Sequence, residues 1–253
     1  MEDRHNITRD IVPGTHFVGV YDGHGGCHVS DICSERFPAI VKRQLSSTDN
    51  NRNRPNAALK LAIREVDELA GSMGIDTFCG TTVCMALIQP LERTITVANI
   101  GDSRMVLKTN GNIFALTKDH NMQHPMERTR IQRAGGVVSR DQSGTERVMG
   151  VLNMTRSLGD RSLRPFVSPH PVVSRYTIRP DEDEYIIVGS DGLWDAVSNQ
   201  DAMHIVDNYM NRKYRGRENI THNVARELVN VAVSRGSTDN ITAIWIGLKK
   251  YQW

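Results

Sequence analysis

Short apolar runs, each closed by turn residues, set the pattern of this chain. His16–Tyr21, Thr81–Ile88, Thr94–Ile100, Met105–Leu107, Tyr185–Gly189 and Ile241–Leu248 are apolar at most positions and rich in β-branched residues. They are too short for helices, so they predict buried strands. Between them the period changes. Leu59, Ile63, Val66 and Ala70 recur at three- and four-residue steps, which predicts an amphipathic helix over Asn56–Ala70, stopped by Gly71. Pro125 ahead of MERTRIQRA, with Gly135 and Gly136 behind it, fits a second, short helix. Ser198 and Asp201 form a capping-box pattern before AMHIV, and Val224, Leu228 and Val231 mark a further helical stripe. Asp49–Pro55 reads as a polar loop.

The connection between Thr81–Ile88 and Thr94–Ile100 is too short for the crossover a parallel pair needs, so the sheets are expected to be mainly antiparallel. The fold class that follows is α+β, with two packed sheets flanked by helices. No Gly/Ser/Pro-rich linker divides the chain, so 1–253 is read as a single domain. Composition agrees with a globular protein: 253 residues, 39% hydrophobic and 24% charged. Lys plus Arg minus Asp plus Glu is 31 − 29 = +2, with the signs interspersed, so neither nucleic acid nor a membrane surface is indicated as a partner. The longest apolar run, Val83–Ile88, is far below the roughly 18 residues of a membrane span. The opening MEDRHNITRD is too polar for a signal peptide. A cytoplasmic or nuclear monomer is the expectation. Cys27, Cys33, Cys79 and Cys84 form no CxxC pair, so they read as buried thiols without zinc or disulfide.

The chemistry concentrates at strand ends. FVGVY runs into Asp22-Gly23, YIIVGS runs into Asp191-Gly192, and Asp239-Asn240 precedes ITAIWI. One such Asp-Gly pair alone reads as a turn. Carboxylates repeated on strand ends are held by rigid elements, and if they converge, their like charges call for protons or cations between them. Oxygen donors select hard ions such as Mg²⁺ or Mn²⁺, and a site for two metals is the leading expectation. Competing motifs are absent: no Cys is followed by five residues and then an Arg, and there is no GxxxxGK[ST]. Asp181–Glu184 lacks the glycine and spacing of a calcium loop and reads as a solvated turn. His120 and His124 share an i,i+4 spacing, but Pro125 interrupts any helix and no HExxH pattern is present.

Together the motifs resemble the metal-dependent serine/threonine protein phosphatases of type 2C, the PPM family. They run in that family's order over nearly the whole chain: MED (Met1–Asp3), FVGVYDGHGG (Phe17–Gly26), CGTTVCMALI (Cys79–Ile88), ANIGDSR (Ala98–Arg104) and LTKDHN (Leu116–Asn121). ERTRIQRAGG (Glu127–Gly136), RVMGVLNMTRSLGD (Arg147–Asp160), VGSDGLWD (Val188–Asp195) and STDNITAIWI (Ser237–Ile246) follow.

The resemblance implies an αββα sandwich with two Mn²⁺ or Mg²⁺ ions bridged by a water at one end, and phosphorylated proteins as substrates. By motif position Asp22 bridges both ions, the Gly23 carbonyl binds one, and Asp191 and Asp239 complete the direct ligands. Glu2 and Asp3 support the site through metal-bound water, and Asp102 and Asp195 hold a weaker third ion. Thr82 is expected as a hydrogen-bonding neighbour, and His24 as the general acid that protonates the leaving alkoxide. Two cations lower the pKa of the attacking water, so no covalent intermediate is needed. Arg147 and Arg156 match basic positions that would recruit phosphate. Arg161–Pro169 occupies the place of the family's flap over the cleft, and Trp194 reads as core.

The chain departs from the pattern at its start. In typical members a phosphate-binding arginine lies four residues before the residue matching Glu2, and a first strand precedes it. Here both positions would fall upstream of Met1. The expectation is therefore an N-terminally truncated domain, internal to a longer natural chain, with weakened substrate binding but intact metal ligands. The alternative is a weak or inactive binding module on the same fold.

Overall fold

The computed structural model describes residues 1–46, 53–213 and 221–248. In chain order it contains β1 (Arg4–Val12), β2 (Thr15–Tyr21), β3 (Gly23–His24), α1 (His28–Ser46), α2 (Arg54–Ser72), β4 (Gly80–Thr81), β5 (Val83–Gln89), β6 (Thr94–Ile100), β7 (Arg104–Thr109) and β8 (Asn112–Ala115). There follow α3 (Pro125–Arg133), β9 (Val138–Arg140), β10 (Glu146–Val148), β11 (Leu158–Gly159), β12 (Val172–Thr177), β13 (Asp183–Gly189), α4 (Asp191–Trp194), α5 (Asn199–Lys213), α6 (Thr221–Ser234) and β14 (Ala243–Gly247).

Two antiparallel sheets form the centre, one ordered β1-β2-β5-β6-β12 and the other β14-β13-β7-β8. The two-residue periodicity of each strand assigns its side chains to layers. On β2, Val18 and Val20 face the second sheet while Phe17 and Tyr21 face the helices. On β5, Cys84, Ala86 and Ile88 point inward, and Met85 and Leu87 outward. Met105, Leu107, Ile186 and Val188 meet them from the second sheet. The outer face of the first sheet packs on α1 and α2 through Phe37, Val41, Leu59 and Ile63. The outer face of the second, with Val106 and Ile187, packs on Val206, Val224 and Leu228 of α5 and α6. Burial on both faces explains why these strands read as continuous apolar runs. The antiparallel, helix-flanked architecture is the one expected.

Several elements lie outside the sequence pattern. β1 is an edge strand with alternating exposed positions, paired to β2 and irregular between Thr8 and Val12, so it carries little apolar signal. β12 is likewise an exposed edge strand. The α1 stripe of Val29, Cys33, Phe37, Ile40 and Val41 continues through Pro38, which in a sequence reads as a helix stop. Gly71 does not end α2, which continues to Ser72. Arg54 and Pro55, read as loop, open α2, and the rest of that stretch, 49–52, lies outside the described residues, apart from Asn53 at the helix cap. Thr81–Ile88 is split at Thr82 into β4 and β5. Ser198 does cap α5, its hydroxyl accepting the Asp201 N–H at 3.1 Å.

Other details correct the expectations. Asp183 is not in a solvated turn: it is fully buried, accepting the Tyr176 hydroxyl at 3.0 Å and the Arg179 N–H at 2.7 Å. Cys27 is half-buried, whereas Cys33, Cys79 and Cys84 are buried, and all are free thiols. Among the described residues no helix is long and apolar enough to cross a membrane.

Candidate active site

The strand ends carrying Asp22 and Asp191 belong to different sheets, and the sandwich brings them together. Asp22 follows β2 and Asp191 follows β13, and the Asp22 carboxyl lies close enough to those of Asp191 and Asp3 for their charges to act on it. Thr82 fixes the Asp22 backbone: its hydroxyl accepts the Asp22 N–H at 3.0 Å and its own N–H donates to the Asp22 carbonyl at 2.8 Å. The Thr82 hydroxyl also meets Ser103 Oγ at 2.6 Å. Thr82 is thus the supporting neighbour the motif implied.

Asp3 is buried beneath this pair. Its Oδ2 accepts hydrogen bonds from Ser190 Oγ and Thr242 Oγ1, both at 2.8 Å. Its Oδ1 is buried without a partner, as is Oδ1 of Asp102. The Glu2 N–H donates to Asn240 Oδ1 at 2.5 Å, and the Glu2 carbonyl accepts from Ser30 Oγ at 2.5 Å. The same Asn240 backbone packs so closely on Gly192 that a side chain there would overlap the Asn240 carbonyl. Asp239 is thereby held beside the turn that carries Asp191.

The electrostatics record the crowding. Burial, then the charges of Asp191 and Asp3, push the Asp22 carboxyl far above the usual carboxylate range. Burial raises Asp191 as well, with Asp195, Asp239 and Asp3 adding to it and the Asp22 hydrogen bond opposing. Asp102 is pushed up to about 8 by burial and then by Asp191. Asp195 is raised by burial, against the attraction of Arg104. Among the described residues no three His, Cys, Asp or Glu side chains converge as a ready-made set of metal ligands; the carboxylates instead act on one another through their charges. Their chemistry nonetheless fits a hard divalent cation: the donors are oxygens, two of them buried and unpartnered, and mutual repulsion is what a cation relieves.

His24 stands next to this cluster in a three-stranded patch, β11-β4-β3, in which Gly23 pairs with Thr81, His24 with Gly80, and Gly80 with Gly159. That register delivers Asp160 to His24. Nε2 of His24 lies 2.7 Å from Asp160 Oδ2, and Ser157 Oγ bonds the same oxygen. Nδ1 of His24 is buried without a partner. Asp160 was invisible as a site residue in the sequence, although it closes the SLGD motif. Its positive φ of 45° is a property no composition reveals.

The two arginines expected to recruit phosphate are engaged elsewhere. Arg156 pairs with the buried Glu127 and donates to the His170 carbonyl at 2.8 Å. Arg147 pairs with Asp141 at 2.7 Å and donates to the Val151 carbonyl at 2.9 Å. Arg104 is the basic group coupled to the cluster: it binds Asp119 and Asn199, stacks over Trp194 at 5.4 Å and attracts Asp195. Trp194 is core, its indole N–H shared between the Arg104 and Gly189 carbonyls. Buried His120 accepts the Gly101 N–H at 3.2 Å through Nδ1. That contact gives it a structural place.

The sandwich of two antiparallel sheets flanked by helices is shared with a known group of proteins. A family model described as Protein phosphatase 2C matches residues 1–241, and the chain belongs to that family. It is 37% identical over 257 residues to "Probable protein phosphatase 2C 8" of Oryza sativa subsp. japonica, covering 92% of this chain and 62% of that protein. It is 34% identical over 255 residues to "Protein phosphatase 1L" of Bos taurus, covering 96% of this chain and 68% of the relative. The chain thus spans less than two thirds of the length of the first of these relatives and about two thirds of the second. The fold superposes on serine-threonine phosphatase 2C from Toxoplasma gondii with a TM-score of 0.79 at 24% identity, covering 98% of this chain and 90% of that one.

Proposed function

We propose that this protein is a metal-dependent phosphatase of phosphoserine and phosphothreonine in proteins. The observation that carries the reading is the meeting of Asp22 and Asp191, from two different sheets, beside the His24–Asp160 pair. Asp22, the Gly23 carbonyl, Asp191 and Asp239 would hold the Mn²⁺ or Mg²⁺ ions, with Glu2, Asp3, Asp102 and Asp195 around them. Divalent cations held there would neutralise the carboxylates and would supply the acidification of water that attack on phosphorus needs.

The protein's own groups do the remaining work. Asp3, tied to Ser190 and Thr242, keeps the strand ends of both sheets in register. Asp160 fixes the His24 ring through Nε2. His24, held this way beside the acidic cluster, would be the group that protonates the departing serine or threonine alkoxide, a poor leaving group that needs a proton. No cysteine is required as nucleophile: burial raises the Cys79 and Cys84 thiols, which keeps them protonated.

The test is release of phosphate from a phosphothreonine peptide with Mn²⁺ or Mg²⁺. Activity abolished by EDTA and by Asp191→Ala supports the reading. No release at any metal concentration rejects it in favour of a binding module.

A further inference from the structure

Phe78 is the side chain at the rim of this site that the reaction leaves unused. It is 78% exposed, a high value for a ring of this size. Scattered exposed apolar residues are ordinary, but the backbone of this one is clamped. On one side the Phe78 carbonyl lies against Gly25, whose φ is +67° and where any Cβ would overlap that oxygen. On the other side the Asp160 N–H donates to the Cys79 carbonyl at 3.1 Å, Arg161 N–H to Asp76 at 3.0 Å and Ser162 N–H to Thr77 at 3.2 Å. The buried Asp76 carboxylate anchors the loop further by pairing with Arg161. The loop is therefore fixed between the His24 turn and the Asp160 segment, yet its ring is turned to solvent.

Resting on the phosphatase reading, we propose that Phe78 is a specificity-determining residue that packs against an apolar side chain of the substrate polypeptide near its phosphorylated residue. The distance supports this partner. The Phe78 carbonyl lies against Gly25, the residue after His24, so the Cα atoms of Phe78 and His24 are at most about 10 Å apart. An extended peptide covers about 7–10 Å in two or three residues. A phosphoresidue placed at His24 thus brings a neighbour two or three positions away over the Phe78 ring. A rigid aromatic presented this way binds without the cost of ordering a loop.

The experiment compares phosphothreonine peptides carrying Leu or Ser two or three positions to either side, using the full chain with Mn²⁺. kcat/KM is read relative to p-nitrophenyl phosphate, which has no flanking residue, and peptide binding is read independently by fluorescence anisotropy. The wild-type protein is expected to prefer a Leu peptide about tenfold, the scale of one apolar contact in a pocket. Phe78→Ala should erase that preference and Phe78→Leu retain part of it. A wild-type protein indifferent to Leu, or a Phe78→Ala variant that keeps the preference, overturns the proposal. Sedimentation supplies a second check: a change of oligomeric state in Phe78→Ala would assign the ring to a contact between copies and overturn it too. If no peptide is hydrolysed, the phosphatase reading fails on its own, and anisotropy still decides whether Phe78 reads the flanking residue.

Discussion

His24 Nε2 and Asp160 Oδ2, 136 positions apart in the chain, stand 2.7 Å apart. If Asp160 holds the ring for proton donation, Asp160→Asn should lower kcat on a phosphothreonine peptide by about 10–100-fold, within the range of general acid catalysis. The loss on p-nitrophenyl phosphate should be smaller, because that leaving group departs without a proton. Equal losses on both substrates would count against a role in protonation.

Gly80 packs against the same pair. A methyl group there would overlap Asp160 Oδ2 and His24 Nε2, so Gly80→Ala is expected to separate them. Activity on phosphopeptides should fall at least as far as in Asp160→Asn, and steady-state kinetics of the two variants side by side checks this.

Stability without metal should depend on pH in a defined direction. Asp102, pushed up to about 8, binds a proton in the folded state that the unfolded chain has lost. Its contribution is full below the unfolded pKa near 4 and is lost as pH rises toward about 8. His120, lowered to about 4 by burial, works in the opposite sense, adding stability as pH rises from about 4 to 6.5. The two offset each other there, so the net fall should come between about pH 6.5 and 8, deepened by Asp22. A loss of 1 kcal/mol corresponds to a Tm decrease of about 2–4 °C at this size. Thermal unfolding in EDTA across this range measures it, and Mn²⁺ should reverse the trend. A Tm that rises from pH 6.5 to 8 in EDTA would contradict the assignment.

At the acid end Glu127 governs. Burial alone would raise it, but Arg156 and Arg130 hold its carboxyl down at about 2. Its stabilising contribution is present above the unfolded pKa near 4.5 and is lost as pH falls toward about 2. Glu127→Gln should flatten that part of the stability curve, measured by urea denaturation at pH 5 and pH 3.

Asp67 ties α2 to the segment that carries Asp160. Its Oδ1 accepts Arg164 Nη2 at 2.5 Å and the Gly159 N–H at 3.3 Å, while its carbonyl accepts Arg161 Nη2 at 2.6 Å. Asp67→Ala leaves the Gly159 N–H without this partner and Arg164 without its counter-charge, an expected loss of about 1–3 kcal/mol. An unchanged urea midpoint would show the network to be dispensable.

The apolar strand runs and the acidic strand ends were legible because their signals are local. A strand buried on both faces must be apolar along its length, as Val83–Gln89 is, and Asp22 and Asp191 sit where such runs stop. β1 and β12 were not legible, since an edge strand with exposed positions has no reason to be apolar. Pro38 hid α1, whose stripe needed contacts with β2 and α2 to show that the helix continues. Arg147 and Arg156 matched basic motif positions, but only the fold shows their guanidinium groups committed to Asp141 and Glu127.

Sequence alone therefore determined the layered α+β class, the acidic strand ends and the histidine beside them, because each follows from periodicity or from neighbours within a few residues. Tertiary structure decided which of these groups touch. The pairing of β3, β4 and β11 sets Asp160 against His24, and the packing of two sheets sets Asp22 against Asp191. Such contacts depend on strand register and sheet order, which join residues far apart in the chain and leave no period in the sequence.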